Sequence, residues 1–259
     1  MIQTPIRQVL LTMQKHQVQA LLMGGQACVF YGAAQFSKDV DFLVLADAAN
    51  FLGLHAALED LHAVPIAVPR FDPEVLQRGH AVHFRCRAVG VEGLRIDVMT
   101  RLRDLPSFEV LWDRRTTLIT DGGGEVHLLS VPDLVNAKKT QREKDWPIIG
   151  ALLEGHYKAL GHAPAPERIL FWLTESRTPQ RLVELVSRFP VETARLQASR
   201  PLLALARAAD LPALRTALDA EVRAEQDKDR LYWEPLKREL EAFRRAQRAN
   251  EQSTDCPPL

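Results

Sequence analysis

The sequence predicts an α+β fold, a mixed sheet flanked by helices at the front, followed by a C-terminal helical domain. Three observations carry that reading. The chain has 259 residues, enough for one large domain or two modest ones. Glycine and short apolar runs with twofold alternation concentrate in the first half. From about residue 150 to 249 the texture becomes helical, rich in Leu, Ala, Arg and Glu, with prolines marking the breaks.

Taken in order, residues 5–17 read as a helix, since Ile6, Val9, Leu10 and Met13 recur at helical spacing. Residues 19–23 read as a short buried strand that stops at Gly24-Gly25, and Ala27 to Tyr31 as a helical turn or two closed by Gly32. Residues 40–45 form the clearest strand, followed by a helix over 48–60. Residues 81–86 and 94–99 read as two strands of a hairpin turning at Gly90 and Gly93. A second hairpin is expected from 116–120 and 125–129, around Asp121-Gly122-Gly123-Gly124. Ser130-Val131-Pro132-Asp133 is a helix start, with proline in the first turn and an acid at the positive dipole end. That helix is expected to run on through Lys138, Arg142 and Asp145. Breaks at Pro164/Pro166, Pro179, Pro190, Pro201 and Pro212 then predict four or five short helices. The expected boundaries are a front domain over 1–150, a helical domain over 151–250 and a flexible tail over 251–259.

Composition narrows the class. Lys+Arg and Asp+Glu both total 33, which excludes a histone-like polycation and an acidic disordered chain. Cys28, Cys86 and Cys256 are few, scattered and without a Cys-x-x-Cys spacing, so neither a disulfide framework nor a zinc ribbon is expected. No apolar run approaches the ~18 residues of a membrane span. The expectation is a cytoplasmic protein with no membrane partner.

One stretch is dense in chemistry: Gly24-Gly25, then Ser37-Lys38-Asp39-Val40-Asp41. Residues two apart on a strand share a face, so Asp39 and Asp41 place two carboxylates together. Such a pair is costly without a cation, and hard divalent ions such as Mg²⁺ bind through one or two carboxylates plus substrate phosphates. Gly24-Gly25, between strand and helix, is expected to offer backbone amides to a phosphate. Asp97, flanked by Ile96 and Val98, supplies a third carboxylate if its strand lies beside that of Asp39.

These residues resemble the polymerase-beta-like nucleotidyltransferase superfamily. Gly24-Gly25-x-Ala27, thirteen intervening residues (26 to 38), Asp39-x-Asp41 and a later acid follow its signature. A second block, Val131-Pro132-Asp133-Leu134-Val135-x-x-Lys138-Lys139 followed by Arg142-x-Lys144-Asp145, is similar to that of the bacterial branch that includes the abortive-infection toxin nucleotidyltransferases. The likeness spans about residues 18–150. Gly25 stands where many members have serine, which leaves phosphate binding there to backbone amides.

The resemblance implies a nucleotidyltransferase moving an NMP group from ATP or another NTP to an acceptor hydroxyl. Asp39, Asp41 and Asp97 would be the catalytic and metal-binding residues, holding two Mg²⁺ ions, with Mn²⁺ as the alternative. Gly24, Gly25, Ser37, Lys138 and Arg142 would bind the nucleotide. The acceptor would be RNA such as tRNA, a protein or a small molecule, and the branch suggests a toxin or defence role with an antitoxin partner. The alternative is a catalytically silent member that binds nucleotide or serves as a toxin–antitoxin partner.

Plainer readings stand beside these. Asp97 would also be satisfied as a strand residue paired with Arg95 or Arg85, and Asp145 as an anchor for a basic side chain. Lys138, Lys139, Arg142 and Lys144 would also read as a solvated helix face. Six arginines between 78 and 103 face two acids, Glu92 and Asp97, which suits either an RNA-binding patch or an exposed hairpin. His80 and His83, three apart on one strand, would point to opposite faces and make no metal pair.

Overall fold

The computed structural model describes residues 4–120 and 124–254, with side chains up to residue 249. The chain divides into two compact units, residues 1–27, 36–130 and 231–259 in the first, residues 28–35 and 131–230 in the second.

In the first unit, α1 (Thr4–Lys15) buries Ile6, Val9, Leu10 and Met13, the predicted stripe. It leads to β1 (Ala20–Met23), and α2 (Gly24–Phe30) begins at the very next residue. Gly24-Gly25 therefore opens the helix, rather than forming a turn before it. β2 (Asp39–Val44) has Asp39 and Asp41 half-buried, whereas Val40, Phe42, Leu43 and Val44 are buried. α3 (Ala48–Asp60) is capped by Asp47, whose carboxylate accepts from Asn50 N at 2.8 Å. Asn50 is itself buried with its amide satisfied by Gln19 and Leu45, which ties the start of α3 to the ends of β1 and β2.

Three short elements absent from the sequence expectation follow or intervene: β3 (Val64–Pro65), α4 (Pro73–Gln77), and α5 (Phe108–Asp113), the last after the hairpin of β4 (Val82–Arg85) and β5 (Arg95–Met99). β6 (Thr116–Ile119) and β7 (Glu125–Leu128) pair antiparallel, as expected of a second hairpin. The turn expected at Asp121-Gly122-Gly123 lies outside the described residues.

The seven strands make one mixed sheet in the order β3-β4-β5-β2-β1-β7-β6. β2 and β5 run parallel, as do β1 and β7, and the other pairs are antiparallel. β2 is thus flanked on both edges. Its apolar second half is buried on both faces, and its first half alternates between core and the polar face where the site lies.

The second unit is helical. It contains α6 (Val131–Ala137), α7 (Asp145–Leu160), α8 (Pro166–Glu175), α9 (Pro179–Arg188), α10 (Pro190–Leu196), α11 (Leu203–Arg207) and the front of α12 (Leu211–Thr254). Proline opens α8, α9 and α10, each at a predicted break. Trp172, Leu173, Leu182, Leu185, Leu203 and Leu214 are fully buried in this unit.

Three expectations need correction. The helix begun at Val131 does not reach Asp145: it ends at Ala137, and a loop over 138–144 precedes α7. Pro147 keeps any helix from running unbroken through 143–147, since it has no N–H to bond Glu143 and its ring would clash there, yet the first turn of a new helix accepts it. The stop at Ala137 itself is a tight turn, in which Thr140 N donates to Lys138 O at 2.8 Å. The last helix is not short, because Pro212 sits in its first turn and the helix continues for 44 residues across Pro235. The front unit also stops at 130 rather than 150 and takes back the chain from Leu231. Glu239 explains that return: it accepts from Arg78 Nε at 2.8 Å and lies 2.8 Å from the ring of buried His80, which meets Phe243 edge-on. The expected tail is helical over 251–254, and residues 255–259, with Cys256, lie outside the described residues.

Among the described residues no helix is long and apolar enough to cross a membrane.

Candidate active site

Register brings the predicted carboxylates together. On β2 and β5, Asp39 lies opposite Arg95 and Asp41 opposite Asp97. On β4 and β5, His83 lies opposite Asp97 and Arg85 opposite Arg95. Directly opposed residues share a face, so Asp39, Asp41, Asp97, Arg95, Arg85 and His83 occupy one face of the sheet. Val40, Ile96, Val98, Val82 and Phe84 alternate with them and are buried.

Two glycines shape the adjoining edge. Gly24, at φ +65°, lies beside Met23, which is opposite Asp41 in β1. A Cβ on Gly24 would stand 1.9 Å from Asp41 Oδ2, so only glycine admits that carboxylate. A Cβ on Gly25 would stand 2.6 Å from Ser37 Oγ. That hydroxyl donates to Asp39 O at 3.0 Å and accepts from Asp39 N at 3.4 Å, closing the turn that delivers the chain into β2. Gly24, Gly25 and Ser37 therefore have spatial work here: they set where Asp39 and Asp41 begin.

Asp97 is held from two sides. Arg95 Nε donates to its Oδ1 at 2.6 Å and Arg95 Nη2 to its Oδ2 at 2.8 Å, a side-on bidentate pair. His83 Nδ1 lies 2.9 Å from Oδ1 and 3.0 Å from Arg95 Nη2. Burial pushes the Asp97 carboxyl up, but the hydrogen bonds of His83 and Arg95 outweigh it and hold the group below the usual carboxylate range. Arg95 in turn is held more firmly protonated, chiefly by its hydrogen bond to Asp97, with the charges of Asp39 and Asp41 adding to it.

Adjacent strands set the backbones of Asp41 and Asp97 about 5 Å apart. Two charges at that separation would repel by about 3 kcal/mol at an effective dielectric constant of about 20. Arg95 offsets that repulsion from within the sheet. Among the described residues no group of three or more His, Cys, Asp or Glu side chains is disposed around one metal position. Asp39 and Asp41 are a donor set that fits one hard divalent ion. The expected second ion would need the oxygens of Asp97, which Arg95 and His83 hold.

The expected nucleotide residues Lys138 and Arg142 are described within the second unit, where they converge on one carboxylate. Asp145, the first residue of α7, accepts from Lys138 Nζ at 3.0 Å, Thr140 Oγ1 at 2.6 Å and Arg142 Nε at 2.8 Å. The side chains of Asp145 and Lys138 are only 2% and 9% exposed. Burial raises the Asp145 carboxyl, but the Lys138 charge, the Thr140 hydroxyl and Arg142 prevail and lower it. Lys139 is also committed, donating to Glu175 at 2.7 Å. The basic block is thus divided: Lys138 and Lys139 are held by acids in a loop, whereas Arg142 and Lys144 are exposed.

His83 and Arg95 are the site members that the sequence motifs do not include. Their signal is the alternation of His83 and Arg85 with Val82 and Phe84, beside Arg95 and Asp97. Cys28 and Cys86 are buried thiols, and burial pushes Cys86 up to about 11, so Cys86 does not suit thiolate chemistry.

Compared with known protein families and with curated proteins, the chain matches none.

Proposed function

We propose that the chain is a Mg²⁺-dependent nucleotidyltransferase, moving an NMP group from an NTP to an acceptor hydroxyl. The observation that carries this reading is the parallel, in-register pairing of β2 and β5, which sets Asp39, Asp41 and Asp97 on one sheet face beside Gly24. Mg²⁺ would neutralise triphosphate charge and acidify the acceptor hydroxyl. Asp39 and Asp41 would hold it. Gly24 leaves the space in which the Asp41 carboxylate sits, and Ser37 orders the turn into Asp39. Asp97 holds Arg95 across the same face. In the transfer the acceptor oxygen bonds the α-phosphorus while the bond to the β-phosphate oxygen breaks. Pyrophosphate leaves with the bonding electrons and the hydroxyl proton passes to water.

RNA such as tRNA, protein and small molecules are the acceptor classes to test, with a toxin role and an antitoxin partner as the biological setting. A silent nucleotide-binding relative is the second reading, favoured by one observation: both oxygens of Asp97 are already taken. One assay separates the two. Labelled NTPs with Mg²⁺ are incubated with RNA, protein and small-molecule pools, and label transfer is followed alongside nucleotide binding by calorimetry. The expected result is transfer that falls at least about a hundredfold in Asp41→Asn. The unfolding midpoint of that variant should hold or rise, because a like-charge repulsion is removed. Binding without transfer establishes the silent reading. Loss of folding in Asp41→Asn makes the aspartate structural.

A further inference from the structure

Resting on the proposed reading, we infer that Arg95 is a cation built into the site in place of a second metal ion, so that the site takes a single divalent ion at Asp39 and Asp41. Three features lead there. Arg95 stands directly opposite Asp39 and reaches two residues along its own strand to Asp97, on the sheet face that also carries Asp41. Its Nε and Nη2 occupy both oxygens of Asp97, and His83 approaches one of them again. A carboxylate so committed would have to break two charge-assisted hydrogen bonds to become a metal ligand.

The local pairing agrees: Arg95 already neutralises Asp97, which leaves the two carboxylates of Asp39 and Asp41 to one divalent ion. Side-on pairing leaves the Nη1 edge of Arg95 outside the Asp97 pair, so the arginine presents its charge to an anionic ligand as it holds the carboxylate. Arg95 is on this account a positioning and charge-compensating residue, and Asp97 is its anchor.

Mn²⁺ alone is the probe, with stoichiometry and affinity read by calorimetry and by electron paramagnetic resonance on the full chain. The parent should bind one Mn²⁺ per chain. Arg95→Gln releases Asp97 and removes a nearby positive charge, so it should bind a second Mn²⁺ or bind the first at least about tenfold more tightly. Asp97→Asn should keep one ion per chain at weaker affinity, because the ion's carboxylates remain while Arg95 loses its counter-charge. The double variant should also bind one ion, which keeps the idea testable if Arg95→Gln alone does not fold. Two ions bound by the parent, an unchanged titration in Arg95→Gln, or loss of the ion in Asp97→Asn overturns the inference and leaves the nucleotidyltransferase reading intact. A parent that binds no Mn²⁺ at all overturns that reading instead.

Discussion

Replacing Asp145 by alanine is expected to destabilise the helical unit by about 3–5 kcal/mol, the range for breaking a buried pair from one side. The carboxylate serves three donors at the first turn of α7: Lys138, Thr140 and Arg142. Its removal leaves the Lys138 ammonium buried with no carboxylate beside it, and loosens the loop that joins α6 to α7. Urea unfolding of parent and variant measures the difference. Lys138→Met should cost less, since it removes the charge that needs compensation and keeps the apolar stem. The pH dependence follows from the same group. The folded carboxyl titrates below its unfolded value, so its contribution is fully present above about pH 4, the unfolded carboxylate value. It is lost as pH falls through the folded value. Parent stability should therefore decline with acidification in that window, and Asp145→Ala should decline less. A shift below about 1 kcal/mol, or equal acid slopes, would show that the three donors are satisfied without the carboxylate.

Local periodicity is the part of this structure that is legible in the sequence. Val40 and Phe42 alternate with Asp39 and Asp41, Ile96 and Val98 with Asp97, and in both strands the residues expected to face the core do so. That these strands are neighbours is suggested only by motif order, and the register that sets Asp41 against Asp97 is a tertiary fact. The short elements β3, α4 and α5 escape because two to six residues carry too little pattern, although Asp72-Pro73 is a helix start in plain view. Proline cuts both ways in the helical part. Pro147 bars one continuous helix within a run of helical composition, and Pro212 opens α12 where a break is expected. The return of the chain from Leu231 to the sheet unit depends on His80 meeting Glu239, 159 residues away, and no local rule exposes such a pair. At the site, sequence shows Arg95 only as a plain partner for Asp97. Its role follows from Asp39 lying across from it, and that needs the register.

Gly24→Ala should empty the site of its ion while leaving most of the fold standing. Two costs meet at this residue. The backbone is at φ +65°, where an L side chain costs roughly 1–2 kcal/mol. The new methyl would lie 1.9 Å from Asp41 Oδ2, 2.4 Å from its Cγ and 2.8 Å from its Cβ. Rotating the far end of Asp41 away relieves the first two contacts but not the third, so the start of α2 or of β2 must move as well. Asp41 then leaves the position it shares with Asp39 and faces Asp97 differently. Mn²⁺ binding should weaken at least about a hundredfold, more than one ligand's worth, because the carboxylate and its strand are displaced together. Two controls separate the causes. Gly32→Ala has a similar backbone, φ +71°, and nothing within 4 Å of the added carbon, so it should lose only the conformational cost and keep the ion. Gly25→Ala meets Ser37 Oγ, and Cβ at 3.1 Å, so its effect should lie between the two as Ser37 turns aside. If Gly24→Ala and Gly32→Ala bind Mn²⁺ equally well, the close approach of Asp41 to Gly24 has no part in building the site.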